Sequence, residues 1–337
     1  MDFSLSMEQE QLRTSVGDWL EDTLGAERIA QLADGEIGWD PASWRQVVDF
    51  GLLEADVLTT LDLALISEQL GHGLYPGPLA SCIQALPLLP KPAANQVSNG
   101  TLRASVAWAA DPLHLTLSPD GLLTGEVRHV NDLGAIDALV VPFSPTRFAT
   151  VSLTAEGVEV FIRETTDRTR RRGDVVLDEV AVEIVELPAE AAEQARLRWL
   201  IFLAAESVGA AQRALEITRD YVSERQQFGR VIGTYQAVSH RVADIYTRTE
   251  LSRSLVYWAA AALDAHSIDA EDAAHAAKAF ACQSALTSLE EAIQAHGGVG
   301  FTWEHILHRY YKRVRANAAS GGNAQAHRAL LAEALFA

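Results

Sequence analysis

The hydrophobic pattern of the chain changes its period twice, and this change constrains the fold more than any other feature. In the first hundred residues apolar side chains recur at helical spacing, as in Val16, Trp19 and Leu20. From about Leu102 the spacing becomes two residues, which predicts short antiparallel strands. After Pro188 the helical spacing returns and continues towards the C-terminus. The pattern therefore predicts helices, then a sheet, then helices again.

This order predicts an α+β fold with three domains. They are an N-terminal helical domain over residues 1–101, a middle antiparallel β-sheet or β-barrel domain over residues 102–188, and a C-terminal four-helix bundle over residues 189–337. The alternation that opens the middle domain runs through Leu113, Leu115 and Leu117. At the N-terminus, Ser6 and Gln9 fit a capping box for the first helix.

Charge and composition exclude several classes of function. The formal net charge of −18 argues against nucleic acid as a partner, because phosphate backbones need a basic face. No apolar run reaches the length of a membrane span, and the N-terminus lacks the pattern of a secretory signal, so we expect a cytoplasmic protein. Cys82 and Cys282 are interpreted as two buried thiols, and the histidines show no metal-ligand spacing.

Two short motifs in the C-terminal region carry the functional signal. The first is Glu224-Arg-Gln-Gln-Phe-Gly229, followed by Gln236. An arginine at a helix C-terminus is by itself usually a partner of the helix dipole or of a surface ion pair. An aromatic residue and a glycine beside it instead suit a dinucleotide, which needs a cation for pyrophosphate and a flat ring for the nucleoside.

The second motif is Gln294-Ala-His-Gly-Gly-Val-Gly300. Paired glycines after a helix usually form a C-cap. Here three of the four residues from Gly297 to Gly300 are glycine, which leaves open backbone where a phosphate could approach.

Together the motifs Arg-x-x-Phe-Gly-x₆-Gln and Gln-x-x-Gly-Gly-x-Gly resemble those of the acyl-CoA dehydrogenase family, whose helix–sheet–helix order also matches this chain. The resemblance implies that FAD is the cofactor. It also implies that the motif residues contact the adenosine and pyrophosphate half of an FAD seated mainly in a neighbouring subunit. The candidate cofactor-binding residues are Arg225, Phe228, Gln236, Gln294, His296, Gly297 and Gly298.

The chain departs from the family where the chemistry takes place. The family's catalytic glutamate, in a loop before the last helix, corresponds to Gly322. Some members place the base on the first helix of the bundle, where this chain has Trp199. Neither residue can remove a proton from a thioester α-carbon. The segment that holds the flavin ring corresponds to residues 107–112, which lack its hydroxyl groups and glycines. We therefore assign no catalytic residue to this chain.

The sequence thus predicts the short, non-catalytic subunit of a hetero-oligomeric acyl-CoA dehydrogenase, inactive alone and resembling those that actinobacteria use in steroid catabolism. A homologous catalytic subunit, expected in a heterotetramer, would supply the glutamate and bind most of the acyl-CoA, with a steroid-derived thioester as the leading substrate.

Two alternatives stay open at this point. One is a self-sufficient homo-oligomeric dehydrogenase with an atypical base such as Glu206. The other is a flavin-free binding module descended from the enzyme. Among further charged groups, Glu224 is interpreted as solvated. The run Arg168–Arg172 is either a solvated sheet edge or a site that attracts a CoA phosphate.

Overall fold

The computed structural model describes residues 5–54, 57–108 and 114–336, so Leu113 lies outside the described residues. The chain forms two compact units. A helical unit comprises Met1–Ala30, Thr59–Tyr75 and Leu200–Ala337, and a sheet unit comprises Gln31–Leu58 and Pro76–Trp199. The domain boundaries after residues 101 and 188 stay predictions of the sequence.

The predicted order of helices, sheets and helices is confirmed. The helices are α1 (Met7–Thr23), α2 (Ala26–Asp34), α3 (Pro41–Asp49), α4 (Thr60–His72), α5 (Leu79–Ala85), α6 (Lys91–Ser98), α7 (Ala189–Glu224), α8 (Gln236–Asp264), α9 (Ala270–His296), α10 (Leu307–Ala319) and α11 (Ala324–Phe336). The strands are β1 (Ala104–Val106), β2 (Leu115–Leu117), β3 (Leu122–Asn131), β4 (Ala138–Pro142), β5 (Arg147–Ser152), β6 (Val158–Arg163), β7 (Arg172–Ala181), β8 (Glu183–Glu186), β9 (Gln226–Gln227) and β10 (Arg230–Val231).

The sheet unit contains two four-stranded sheets, ordered β1-β4-β5-β8 and β2-β3-β7-β6. The inward-facing residues of both sheets form one apolar core, which includes Leu123, Val127, Leu139, Val151 and Val175. Within the described residues, β1 and β4 form the one parallel pair, where the sequence predicts antiparallel strands. The chain leaves β1 for β2 and β3 of the other sheet before it returns as β4, and this crossover lets both strands run in the same direction.

In the helical unit, α1 begins at the predicted capping box. The Gln9 amide donates to Ser6 Oγ over 3.2 Å, and the Ser6 amide donates to Gln9 Oε1 over 3.1 Å. Reciprocal bonds of this kind satisfy amides that the first turn leaves without helical partners. No helix in the described part of the chain is long and apolar enough to cross a membrane. Both cysteines are buried thiols without a disulfide.

Helices α4 and α7 cross through reciprocal glycine contacts. A Cβ atom at Gly71 would overlap the backbone carbonyl of Glu206, and one at Gly209 would overlap that of Glu68. Each helix therefore presents a glycine to the backbone of the other, which permits a very close approach. The crossing turns both glutamates inward, where the side chain of each lies at most 5% exposed.

Candidate functional site

The first motif forms a short hairpin after α7. Gln227 pairs with Arg230 and Gln226 with Val231, so Phe228 and Gly229 are the two residues of the turn. Their φ angles are +53° and +81°, as a type I′ turn requires. The Phe228 side chain is 92% exposed. The turn thus presents an aromatic ring to the outside of the chain.

Arg225 lies at the base of this hairpin. Its amide donates to the Tyr221 carbonyl over 2.9 Å, and its carbonyl accepts from the Ile232 amide over 2.8 Å. The backbone is therefore fixed, while the exposed guanidinium forms no ion pair or hydrogen bond with any described residue. The structure does not assign this arginine the surface ion pair that is one of the usual roles of such a residue.

Gln236 and Gln294 are also exposed, at the first turn of α8 and in the last turn of α9 respectively. Neither side-chain amide bonds to a described residue. Both groups are therefore available to a molecule from outside the chain.

The glycine loop of the second motif combines two different requirements for glycine. Gly297 has φ +62° and ψ −138°, a conformation that side-chain-bearing residues avoid. At Gly300 a Cβ atom would lie 2.6 Å from the Ile293 carbonyl oxygen, so the chain's own packing excludes it. At Gly298 nothing lies within 4 Å of such an atom. The backbone of Gly298 is therefore not covered by any described residue on the side where a Cβ atom would stand.

Tyr221 brings the two motifs together. Its ring stacks on His296 with a centroid distance of 4.3 Å, and its carbonyl holds the Arg225 amide. Sequence reasoning missed Tyr221, although its position four residues before Arg225 places it one helical turn away. The first motif at the end of α7 and the second at the end of α9 are thus neighbours in space.

His296 points inward rather than towards an approaching ligand. The residue is 4% exposed, and Nδ1 lies 2.8 Å from the Ala292 carbonyl. This bond makes Nδ1 the protonated nitrogen of the neutral ring, while Nε2 has no partner among the described residues. Burial lowers the pKa of His296, and the bond to Ala292 opposes that shift in part. The His305 ring also packs against His296, with a centroid distance of 4.6 Å and an interplanar angle of 59°.

The loop that corresponds to the family's catalytic glutamate carries no carboxylate. Gly322 has φ +103°, and its carbonyl accepts a hydrogen bond from the buried Lys278 ammonium over 3.2 Å. Lys278 also contacts the Ala318 carbonyl at 3.5 Å. A buried cation thus ties this loop to α9 in place of a base.

The alternative base position carries a stacked pair of indoles. Trp199 and Trp108 lie with ring centroids 5.2 Å apart and planes 14° from parallel. Trp199 is 6% exposed. Neither indole N–H finds an acceptor within the described residues. Trp108 belongs to the segment that corresponds to the flavin-ring segment, of which residues 109–112 lie outside the described residues.

Glu206 is held by a buried ion pair. Its Oε1 accepts from Arg313 over 2.7 Å, and its Oε2 accepts from Asn317 over 2.7 Å. A general base must be within reach of its substrate. Because Glu206 is fully buried and both oxygens are engaged, the geometry places it in a structural role.

The residues present fit one half of FAD better than the other. An exposed cation, an exposed ring and open glycine backbone suit the AMP half, as Gly298 shows most directly. Where the resemblance places the flavin ring and a base, the described residues show two indoles. Among the described residues, the two positions that correspond to the family's base hold Gly322 and Trp199, and neither side chain is a carboxylate.

Comparisons with known proteins identify the family of this chain. Residues 195–336 match the family described as "Acyl-CoA dehydrogenase, C-terminal domain". This segment includes both motifs. The chain is 30% identical over 323 residues to the acyl-CoA dehydrogenase IpdE2 of Mycobacterium tuberculosis, covering 92% of each protein.

Solved structures give the same result for the whole fold. A variant of the Tcur3481–Tcur3483 steroid ACAD superposes with a TM-score of 0.87 at 26% identity, covering 98% of each chain. The ChsE4–ChsE5 complex from Mycobacterium tuberculosis superposes with a TM-score of 0.88 at 22% identity, covering 100% of this chain and 99% of the other. The sequence and fold comparisons together show that this chain belongs to the acyl-CoA dehydrogenase family.

Proposed function

We propose that this chain is the non-catalytic subunit of an FAD-dependent acyl-CoA dehydrogenase that works as a hetero-oligomer. It holds the AMP half of FAD through Arg225, Phe228, Gln294 and the Gly297–Gly298 backbone, with Gln236 as a further polar contact. A homologous partner subunit supplies the catalytic glutamate.

One observation carries the proposal. The side chains of Arg225, Phe228, Gln236 and Gln294 are all exposed and make no hydrogen bond or ion pair with the described residues. Their common exposure around an open glycine supports a ligand that comes partly from another subunit.

Each group has a chemical task in this arrangement. Arg225 offers a planar, permanently charged fork that suits pyrophosphate oxygens. The backbone at Gly298 lets a phosphate or ribose approach where a side chain would block it. Phe228 supplies an apolar face for the nucleoside. His296 acts from within, because its buried ring supports the loop through Tyr221.

The reaction is α,β-dehydrogenation of an acyl-CoA thioester. When bound, FAD supplies the acceptor for the β-hydride, while the partner's carboxylate takes the α-proton. The residues of this chain contribute placement and electrostatics, which are the usual protein contribution to cofactor chemistry. The two positions of the family's base hold Gly322 and Trp199 in this chain. Neither residue can take a proton from the substrate.

A protein partner is supported by the surface of the helical unit and by the relatives. Exposed apolar side chains include Phe228, Phe301 at 72% and Trp303 at 53%, and such side chains mark contact surfaces when they cluster. The ChsE4–ChsE5 protein is by name a complex of two different chains. The Tcur3481–Tcur3483 protein is by name a steroid ACAD, which supports a bulky steroid-derived acyl-CoA as the substrate.

Native mass spectrometry of the chain isolated from its own host tests the proposal, with chains and flavins counted in each complex. We expect a mixed complex with one FAD per pair of unlike chains. In that complex Arg225→Ala lowers the FAD content, while Arg219→Ala, an exposed arginine paired with Asp220, leaves it unchanged. A homotetramer with one FAD per chain would overturn the proposal. An Arg225→Ala complex with full FAD content would show instead that these residues do not hold the cofactor.

A further inference from the structure

We propose that Tyr235 and Arg230 are positioning residues that hold the Phe228–Gly229 turn in its strained conformation. In this way they fix the place at which Phe228 meets the cofactor. This inference rests on the proposed role of Phe228 and adds two residues from the unspecified six-residue spacer of the first motif.

The turn needs external support because of its composition. Type I′ turns require positive φ at both central residues, and glycine, asparagine or aspartate normally occupy them. Here the first central residue is a phenylalanine with φ +53°, a conformation that is unfavourable for a bulky L-residue. Because its ring is 92% exposed, packing within the described chain does not offset the strain. The flanking strands β9 and β10 contain two residues each, which is too little pairing to stabilise a hairpin alone.

Tyr235 provides the missing support from the start of α8. Its hydroxyl lies 3.2 Å from the Gln227 carbonyl oxygen and 3.4 Å from the Phe228 carbonyl oxygen, so the O–H can donate to the backbone of the turn. The Tyr235 carbonyl accepts from the amides of Val238 and Ser239, each over 2.9 Å. The residue therefore connects the tip of the hairpin to the first turn of a long helix.

The Arg230 side chain contacts the face of the Tyr235 ring. Its guanidinium carbon lies 3.8 Å from the Tyr235 ring centroid, a cation–π contact at short range. Arg230 is also the strand residue that pairs with Gln227. Tyr235 thus contacts both the turn and Arg230, and Arg230 pairs with Gln227, the residue that precedes the turn.

The consequence is pre-organisation. A ring that is already held in its binding position loses less conformational entropy when a ligand arrives. The Tyr235 hydroxyl touches only backbone atoms of the turn among the described residues, so removing it should affect cofactor binding only through the position of Phe228.

The test measures the rate of FAD release from the mixed complex after dilution. Tyr235→Phe keeps the ring and removes only the O–H. We expect FAD release to become about 3- to 10-fold faster, as for the loss of one hydrogen bond. The KM for the thioester should not change, and the melting temperature of the complex should fall by no more than a few degrees. Tyr246→Phe is the control, because Tyr246 is an exposed tyrosine of the same helix.

A double-mutant cycle shows whether Tyr235 acts through Phe228. Phe228→Asn keeps a residue that accepts positive φ and removes the ring. If Tyr235 positions that ring, Tyr235→Phe has no further effect in the Phe228→Asn background, and Arg230→Ala shows the same non-additivity.

The outcomes separate this inference from the proposed function. If neither Arg225→Ala nor Phe228→Asn accelerates FAD release, the proposed function itself is wrong. If both accelerate it but Tyr235→Phe does not, or if the effects of Tyr235→Phe and Phe228→Asn add, only the positioning role is wrong.

Discussion

Arg313 donates a hydrogen bond to Glu206 across 2.7 Å, and both side chains are fully buried. A second Arg313 nitrogen reaches the Tyr75 carbonyl at 3.3 Å, so the cation also holds the chain segment after α4. Glu206 also belongs to the crossing of α4 and α7, because Gly71 packs against its backbone. This carboxylate is therefore part of the helical core.

Replacing Glu206 with glutamine should destabilise the helical unit severely. The substitution removes the carboxylate of a fully buried ion pair with Arg313, and the loss of one partner from such a pair typically costs about 3–5 kcal/mol. We expect the melting temperature to fall by roughly 6–20 °C, whereas Glu333→Gln on the exposed face of α11 changes little. A Glu206→Gln chain with an unchanged melting temperature and abolished turnover would instead identify this residue as a base.

Two glycines of one loop should respond in opposite ways to alanine. Gly300→Ala places a Cβ atom 2.6 Å from the Ile293 carbonyl oxygen and 3.0 Å from the His296 Cβ, so the loop must shift. We expect it to cost about 1–3 kcal/mol of stability. Gly298→Ala meets nothing within 4 Å, so stability should change by less than about 0.5 kcal/mol.

The same pair of variants also distinguishes packing from binding. If FAD approaches the backbone at Gly298, Gly298→Ala lowers FAD content in the mixed complex while its melting temperature stays constant. Flavin absorbance and thermal unfolding, measured on the same samples, check this result. Full FAD content in Gly298→Ala would show that the cofactor does not use this surface.

The sequence predicted the large elements well because each depends on local periodicity. The return of the helical spacing after Pro188, for example, corresponds to helices α7 to α11. The parallel pairing of β1 with β4 could not be predicted in this way, because it depends on how the chain crosses between the two sheets. Short helices such as α2 and α6, of nine and eight residues, give little periodic signal of their own.

Within the candidate site, residue identities were easier to predict than conformations. The motifs gave Arg225, Phe228 and Gly298, but not the turn that places Phe228 at positive φ, because Phe-Gly is not a typical type I′ pair. Nor could sequence reasoning find the contact between Trp108 and Trp199, which lie far apart in the chain. Such contacts depend on the tertiary fold, which no local pattern records.

Replacing Trp199 of the stacked indole pair should cost less stability than replacing Trp44, another buried tryptophan of the sheet unit. Trp44 and Trp199 are 8% and 6% exposed. The Trp44 indole donates to the Gly100 carbonyl over 2.9 Å, but the Trp199 indole has no acceptor among the described residues. We therefore expect Trp44→Phe to cost about 1 kcal/mol more than Trp199→Phe.

Near-ultraviolet circular dichroism provides a second readout for these variants. Coupling between the stacked rings of Trp108 and Trp199 should disappear in Trp199→Phe and persist in Trp44→Phe. Equal stability losses in the two variants would mean that the Trp199 N–H does have an acceptor.

Mild acid should weaken the glycine loop through His296. Burial lowers the pKa of His296. Burial also lowers the pKa of His305, and repulsion from His296 and His308 lowers it further. Because the unfolded chain binds protons near the ordinary value of about 6.5 while the folded chain does not, stability falls as the pH drops below about 6.5. The loss continues until the pH reaches the lower folded-state values.

Urea denaturation between about pH 5 and about pH 8 measures this dependence. His296→Phe keeps an aromatic ring against Tyr221 but cannot take up a proton, so its stability should vary less with pH than that of the natural chain. His240→Phe, at an exposed position of α8, should leave the slope unchanged. An equal slope in the natural chain and in His296→Phe would show that the buried ring does not titrate in this range. In that case the acid sensitivity of the loop would have to arise elsewhere.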